Sequence, residues 1–403
     1  MDKFMSSFAK ESLAAVGRAI ELISLPRAAK REIRADRNGL LFDDAGPENV
    51  AKAGIDWLSL AQDNSPNRDG GVARHYSLVS GWGNSYPETT GYIVPTFLCW
   101  YKRSGDETVR ERAYKMLQWF REIQFPEGGF QGGMVEMEPK VPVTFNTGQI
   151  LIGLAAGVES FGKEFLPVMH GAARWLLGTQ DTDGAWRKHP TPFASQGEKT
   201  YETHVAWGLF EAARIDNNCG YGEAGIRNVD WALGKQRDNG WFDDCCLDQP
   251  TTPLTHTIGY TVRGILECWR YSGERKYLDA AELTLSMIAK QVSDDGRLWG
   301  RFDSKWRPTV PWICVTGCSQ LAECFLIAAD ALGSDQFLDH GKRLNRFVRR
   351  TVRIDGPDET RGAVKGSYPV DGDYGKLQYL NWAVKFSIDS NLREIDFENS
   401  APS

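Results

Sequence analysis

Two kinds of apolar segment alternate along the chain, each helix-like and each marked at one end by its own phrase. The first kind ends in tryptophan, with glutamine five residues on and then a glycine turn. It reads Trp119, Gln124, Gly128-Gly129-Phe130; then Trp175, Gln180, Gly184-Ala185-Trp186; then Trp231, Gln236, Gly240-Trp241. These anchors step by 56 residues. Trp57, Gln62 and Gly70-Gly71 begin the series, Met287, Gln291 and Asp295-Gly296 continue it, and a further step lands near Phe347. The second kind opens with Thr90-Gly91, Thr147-Gly148 and Thr316-Gly317, with Thr203-His204 and Ile258-Gly259 in the corresponding places.

Self-similarity at a fixed period marks a repeat architecture. Here each unit is a pair of helices, and there are six units. Six hairpins close most naturally into an all-α (α/α)6 toroid, a six-hairpin barrel of inner helices ringed by outer ones, because closure buries end units that would otherwise need polar caps. The inner helices are expected to begin near Thr90, Thr147, Thr203, Thr257, Thr316 and Leu377, all on one face. Residues 49–403 are expected to form this toroid as the catalytic domain. Residues 1–48 stand outside the repeat as an N-terminal helical extension. Phe8, Leu13, Val16, Ile20 and Ile23 predict a helix to about Ile23, before Pro26, and Arg27, Lys30, Arg31, Arg34 and Arg37 form a basic linker. The helix reads as docked on the toroid wall; residues 1–37 also suit a peripheral membrane contact.

Connections differ on the two faces of the ring. Inner-to-outer reversals are short and carry glycine, as at Gly105, Gly162, Gly273 and Gly333, in keeping with helix C-caps. Outer-to-inner loops are long and rich in Gly, Pro and aromatics, as in Gly81-Trp82-Gly83-Asn84-Ser85-Tyr86-Pro87-Glu88. Function concentrates in loops held by a rigid scaffold, so the long-loop face is the expected mouth. Inner helices start there, and their free N–H groups favour anions such as sugar carboxylates.

The net charge of −6 gives no basic footprint, so nucleic acid is not an expected partner. No run reaches the roughly 18 apolar residues of a transmembrane helix, and the first residues lack a secretory pattern. The eight cysteines show no disulfide framework and no zinc-like spacing, so they read as small buried hydrophobes of a cytoplasmic protein, with no metal or cofactor implied.

His204 replaces glycine at a crowded inner-helix start, either as a ligand contact or as a packing histidine. His256 and Tyr260 lie four apart on one helix face and suit proton transfer. Glu88 and Glu202 each stand just before an inner helix, as candidate acids or as favourable N-terminal charges. Tyr374 lies in the last mouth loop. Aromatic and polar residues at the mouth make the expected substrate contacts: Trp82, Asn84, Tyr86, Asn146, Gln149, Tyr201, Trp241, Arg301, Trp312, Lys365 and Tyr368. Asp243-Asp244 either bind hydroxyls or shape a turn, and Arg187 and Arg307 are further cations for a carboxylate.

Three resemblances follow from these residues. Gln180 to Trp186 resembles the Q-x-x-x-G-x-W repeat of triterpene cyclases, which supports the toroid; the D-x-D-D proton donor of those enzymes is absent. Pro250-Thr251-Thr252-Pro253, Gly259-Tyr260, Gly264-Ile265 and Asp373-Tyr374 resemble glucuronyl C5-epimerases, in which the last Tyr is catalytic, although Asp248-Gln249 stand where that family has Glu-Tyr. Ser85 to Tyr92, Phe145 to Gln149, Leu254 to Tyr260 and Lys365 to Pro369 resemble six-hairpin glycosidases, uronate lyases and the toroid proteins of bacterial polysaccharide-synthesis loci. Together these imply an enzyme acting on acidic oligo- or polysaccharide by C5 proton abstraction, as an epimerase or lyase. His256 or Tyr260 would take the proton, Tyr374 or His204 would supply one, and Asn146, Arg301 or Lys365 would hold the carboxylate. Glycoside hydrolysis by Glu88 and Glu202 is the alternative; a non-catalytic polysaccharide-binding protein and a terpenoid cyclase are the others.

Overall fold

The computed structural model describes residues 24–400; residues 1–23, with the helix expected up to Ile23, and 401–403 lie outside the described residues. Helix α1 (Arg27–Arg37) precedes six outer–inner hairpins. These are α2 (Pro47–Asp63) with α3 (Pro87–Ser104), α4 (Glu107–Ile123) with α5 (Thr144–Phe161), and α6 (Leu166–Thr179) with α7 (Thr203–Ile215). They continue as α8 (Tyr221–Leu233) with α9 (Thr255–Ser272), α10 (Arg275–Ala289) with α11 (Val315–Leu332), and α12 (Asp335–Arg349) with α13 (Asn381–Ser400). Each inner helix packs on the next, from α3 through α5, α7, α9 and α11 to α13, which returns to both α3 and α2. The expected toroid is the observed one.

The two helix types bury different amounts of surface, as their patterns require. Outer helix α4 buries Val109, Ala113, Met116, Leu117 and Phe120, one stripe of an amphipathic helix. Inner helix α5 is buried at every residue from Thr144 to Ala155, which is why its sequence has no polar face. Inner helix α11 is long and apolar enough to span a membrane by length and composition, but it lies in the wall of this ring, mostly buried. All eight cysteines are free; six are buried, whereas Cys99 is exposed and Cys219 half-buried, contrary to the uniformly buried reading.

The repeated phrase is a stitch between neighbouring hairpins. Gln124 Nε2 donates to the carbonyl of Gly128 in its own loop and to that of Val168 on the next outer helix, both at 2.9 Å. Gln180 does the same to Gly184 at 3.0 Å and Ala224 at 2.9 Å, and Gln62 to Gly70 at 2.8 Å and Arg112 at 3.2 Å. The second phrase ties loop to inner helix: Thr90 Oγ1 accepts from Val72 N and Thr147 Oγ1 from Phe130 N, both at 3.0 Å. The turn glycines let each loop lie on the next outer helix. A Cβ on Gly128, Gly184 or Gly296 would collide with the carbonyl of Gly171, Arg227 or Arg343. In the sixth unit Gly362 meets the carbonyl of Ala53, on the first outer helix, so the same contact closes the ring.

Short strands finish the closure at the mouth. β1 (His75–Ser77) pairs antiparallel with β2 (Gly81–Trp82) in its own loop and with β5 (Gln378–Leu380) in the last one, opposing Tyr76 to Trp82 and to Tyr379. The last inner helix therefore starts at Asn381, not near Leu377: residues 378–380 are spent on β5. β3 (Ile313–Cys314) and β4 (Ser367–Tyr368) join the fifth and sixth loops.

The basic linker is in fact part of a docked helix. In α1 the basic residues Arg27, Arg31 and Arg34 are exposed, while Glu32 and Asp36 turn inward and both pair with buried Lys365. Asp36 also receives Val370 N at 2.8 Å, and its carbonyl accepts from Tyr368 Oη at 3.1 Å. Burying a lone ammonium is costly, so Lys365 requires these acids and they require it.

Gly105 and Gly362 separate the closing contact from ordinary backbone strain, because both have positive φ (70° and 77°) but only Gly362 has a neighbour in the way. Gly105→Ala should cost about 1–2 kcal/mol, the left-handed penalty for a residue with a Cβ. Gly362→Ala should cost clearly more, since the Ala53 carbonyl must also move. Urea midpoints of the two variants check this; equal losses would contradict the closing role.

Candidate active site

The long loops surround one cavity of about 340 Å³ at the mouth. Tyr86 and Glu88 reach it from the first unit, Phe145 from the second, Tyr201 from the third, His256 and Tyr260 from the fourth, and Tyr374 and Trp382 from the sixth. Arg74 is the charged partner of this set.

Arg74 is placed by ring closure. It directly precedes β1, its N–H donates to the Asn84 carbonyl at 2.9 Å, and its carbonyl accepts from Asn381 N at 3.2 Å. The guanidinium lies 4.9 Å from the centre of the Trp382 ring and 5.9 Å from that of Tyr86. Its Nη1 donates to Gln378 Oε1 at 3.3 Å and meets His75 Nδ1 at 3.1 Å. A guanidinium has five N–H donors, and both of these bonds use one nitrogen. Stacking and hydrogen bonds thus fix a planar cation at the cavity edge, the geometry that suits a carboxylate.

Glu88 accepts from Tyr86 Oη at 2.9 Å at the first turn of α3. Burial raises its carboxyl from 4.5 to about 7, against the lowering pull of the Tyr86 bond and of Arg74. It therefore keeps its proton into the neutral range, as a general acid must. Among the described residues it is the one carboxyl lining the cavity.

His256 sits at the start of α9, with Nδ1 2.7 Å from Gln320 Oε1 on α11. Burial lowers its pKa to about 4, so the ring is neutral at pH 7. With Nδ1–H held by the glutamine oxygen, Nε2 carries the lone pair. Its ring centre is 4.4 Å from that of Tyr260 and 5.4 Å from that of Tyr374. Tyr374 Oη accepts from Trp382 Nε1 at 2.9 Å, and Tyr260 Oη lies 3.4 Å from Tyr92 Oη. Burial raises both phenols well above their ordinary value, so both are protonated.

Several expected residues are elsewhere. His204 is fully buried behind the cavity, its Nδ1 2.6 Å from Gln149 Oε1 and its ring 4.4 Å from that of Tyr260, so both His204 and Gln149 support Tyr260 from behind. Asn146 is also fully buried and does not line the cavity. Glu202 is buried outside the cavity lining. Arg301 does not face a ligand: Nη2 binds both oxygens of Asp248 at 2.8 Å and Nη1 the Thr252 carbonyl at 2.8 Å. Lys365 and Tyr368 serve the α1 dock. Trp82 packs on Trp57 and Tyr76, Trp241 on Trp306, and Trp312 behind Tyr374 with Leu254 and Cys314. Asn84 bonds Glu136. Arg187 pairs with Asp183, Asp181 and Glu198, Arg307 with Asp303, Asp243 with Arg237 and Asp244 with Lys235, all in exposed ion pairs.

Sequence reasoning missed Arg74, Gln320 and Trp382. The available signal for Arg74 was its place between Gly70-Gly71 and Trp82 in the first mouth loop. Among the described residues no metal-type cluster lies in the cavity, and His170, Asp216 and Cys219 alone bring three such donor atoms together, within 4.8 Å; His170 Nδ1 there meets Tyr221 Oη at 2.7 Å.

No family model and no curated protein matches the chain in sequence. Solved structures share its fold. An unsaturated glucuronyl hydrolase specific for heparin is 14% identical, with a TM-score of 0.71, 89% of this chain covered and 99% of that one. The unsaturated glucuronyl hydrolase of Bacillus sp. GL1 gives 15%, 0.66, 86% and 96%. The cellobiose 2-epimerase of Bacillus thermoamylovorans B4167 gives 12%, 0.66, 90% and 98%. At these identities the likeness is one of fold.

Glu202 gives a pH test of the buried environment. Burial raises its carboxyl from 4.5 to about 8, opposed by Lys199 and Arg187, and Oε2 has no hydrogen-bond partner. A raised carboxyl pKa means the folded state holds the proton more tightly. Its contribution is intact below pH 4.5 and lost as pH rises through 8. Glu202→Gln should therefore gain stability relative to wild type between pH 5 and pH 9, by a few kcal/mol, roughly, for a shift of this size. Urea denaturation at both pH values measures it; a difference independent of pH would contradict the assignment.

Proposed function

We propose that the chain is a carbohydrate-active enzyme that binds a uronate-bearing sugar in the mouth cavity and moves a proton at C5. The observation that carries this reading is one fixed cation, Arg74, beside neutral proton carriers around the mouth cavity. Arg74 would hold the sugar carboxylate, and its charge would stabilise the enolate that develops there as the C5 proton leaves. His256 would take that proton on Nε2, with Gln320 fixing the ring through Nδ1. Tyr374, whose ring centre is the farther from His256, would return a proton from the other face, which inverts C5, and proton exchange with solvent would then reset both groups. Expulsion of the C4 substituent instead, its oxygen taking a proton from Tyr374, would give elimination. Arg74 would take the carboxylate role expected of Asn146, Arg301 or Lys365.

Glu88 favours a second reading, hydrolysis. Its carboxyl stays protonated to about pH 7. In an unsaturated uronate such an acid would protonate C4, water would add at C5, and collapse of the hemiketal would open the ring and free the aglycone. That chemistry needs one acid, not the carboxyl pair of ordinary glycoside hydrolysis, and the related folds include hydrolases named for unsaturated glucuronyl substrates.

Incubation in D2O with saturated uronate polymers and with unsaturated uronate disaccharides distinguishes these. Deuterium at C5 of the saturated sugar marks epimerisation, new ultraviolet absorbance marks elimination, and loss of the unsaturated sugar's absorbance marks hydrolysis. His256→Asn should lower C5 exchange by about 10²–10⁴-fold, the range for a positioned base, while Arg74→Gln should raise KM for all uronates. Glu88→Gln should abolish hydrolysis and spare C5 exchange. No reaction with either substrate would contradict the proposal.

A further inference from the structure

The cavity is lined by two chemically unlike sets of residues. Arg74, Glu88, His256 and the tyrosines make up one. The other is a wall of Met134, Met137, Phe193 and Leu247, supplied by residues 131–142, 187–199 and the fourth mouth loop. None of the four is buried, and Phe193 is 48% exposed. The loops meet there: a Cβ on Gly133 would touch both Met137 Sδ and Phe193 Cζ. An exposed apolar cluster continuous with a binding cavity calls for an apolar occupant.

A second sugar fits this wall poorly. On the loops that carry this set, Thr191 lines the cavity with a hydroxyl, and Glu136, beside Met137 in sequence, is engaged by Asn67 and Asn84. Sugar hydroxyls placed against it would lose hydrogen bonds to water and find few in return. An alkyl or aryl group loses none, and flexible methionines adapt to its shape. Resting on the uronate reading above, we propose that the preferred substrate is a uronic acid glycoside with an apolar aglycone. The acid ring lies against Arg74 and the aglycone against Phe193 and Met137.

Calorimetric titration with phenyl glucuronide, methyl glucuronide, a glucuronate–glucose disaccharide and neutral phenyl glucoside tests this on the full chain. The phenyl glucuronide should bind on the order of tenfold more tightly than the methyl glucuronide, the gain from burying roughly 60 Å² more apolar surface. Phe193→Ala and Met137→Ala, both at partly exposed positions, should each shrink that ratio towards one. Equal affinity for phenyl and methyl glucuronides, a tighter disaccharide, a ratio unchanged in both variants, or no binding of any glucuronide would overturn the proposal. If phenyl glucoside binds as tightly as phenyl glucuronide, the apolar wall stands and the carboxylate role of Arg74 falls.

Discussion

Gly362 lies against the carbonyl of Ala53 because the sixth hairpin must meet the first as every other hairpin meets its successor. Without that contact the toroid would be an open solenoid with two exposed ends. Closure also brings β5 beside β1, and this pairing sets Arg74 over Trp382 and next to Tyr86. The candidate site thus exists only in the closed ring, since its cation comes from the first unit and the rings beneath it from the first and last.

Closure has an electrostatic consequence as well. Six inner helices crowd their starts together and exclude water, so ionisable groups there take their neutral forms. Glu88 keeps its proton, His256 loses its own, and Tyr260 and Tyr374 stay phenolic. Arg74 is the cation set against them, stacked on Trp382. One cation among neutral donors and acceptors is an arrangement that attracts a carboxylate and can exchange protons with its α-carbon.

Much of the fold was legible because the Trp, Gln and Gly phrases report contacts made again in each unit. Gln124 and Gln180 make the same bonds one unit apart, so the sequence repeats where the structure does. His256, Tyr260, Tyr374, Tyr86, Tyr201 and Glu88 were legible through their places at inner-helix starts or in mouth loops. Arg301, Lys365 and Trp312 occupy the same loops but point to other partners, which loop position cannot reveal. Asp248, Glu32 and Asp36 neutralise the two cations. Arg74 escaped notice for the converse reason: its importance comes from Gln378 and Trp382, roughly three hundred residues away in the chain. Helix α1 was misread because its basic residues dominate the composition, whereas its two buried acids determine the docking.

The electrostatic claim common to both readings is that burial holds the cavity's ionisable groups in their neutral forms, and the Glu88 carboxyl is the group whose titration reports it. Infrared difference spectroscopy of the protonated carboxyl stretch, followed against pH in wild type and in Glu88→Gln, measures this without any substrate. The account predicts a wild-type band that titrates with a midpoint near 7 and is missing from the variant. A Glu88 band that disappears with a midpoint near 4.5, the ordinary glutamate value, would contradict it.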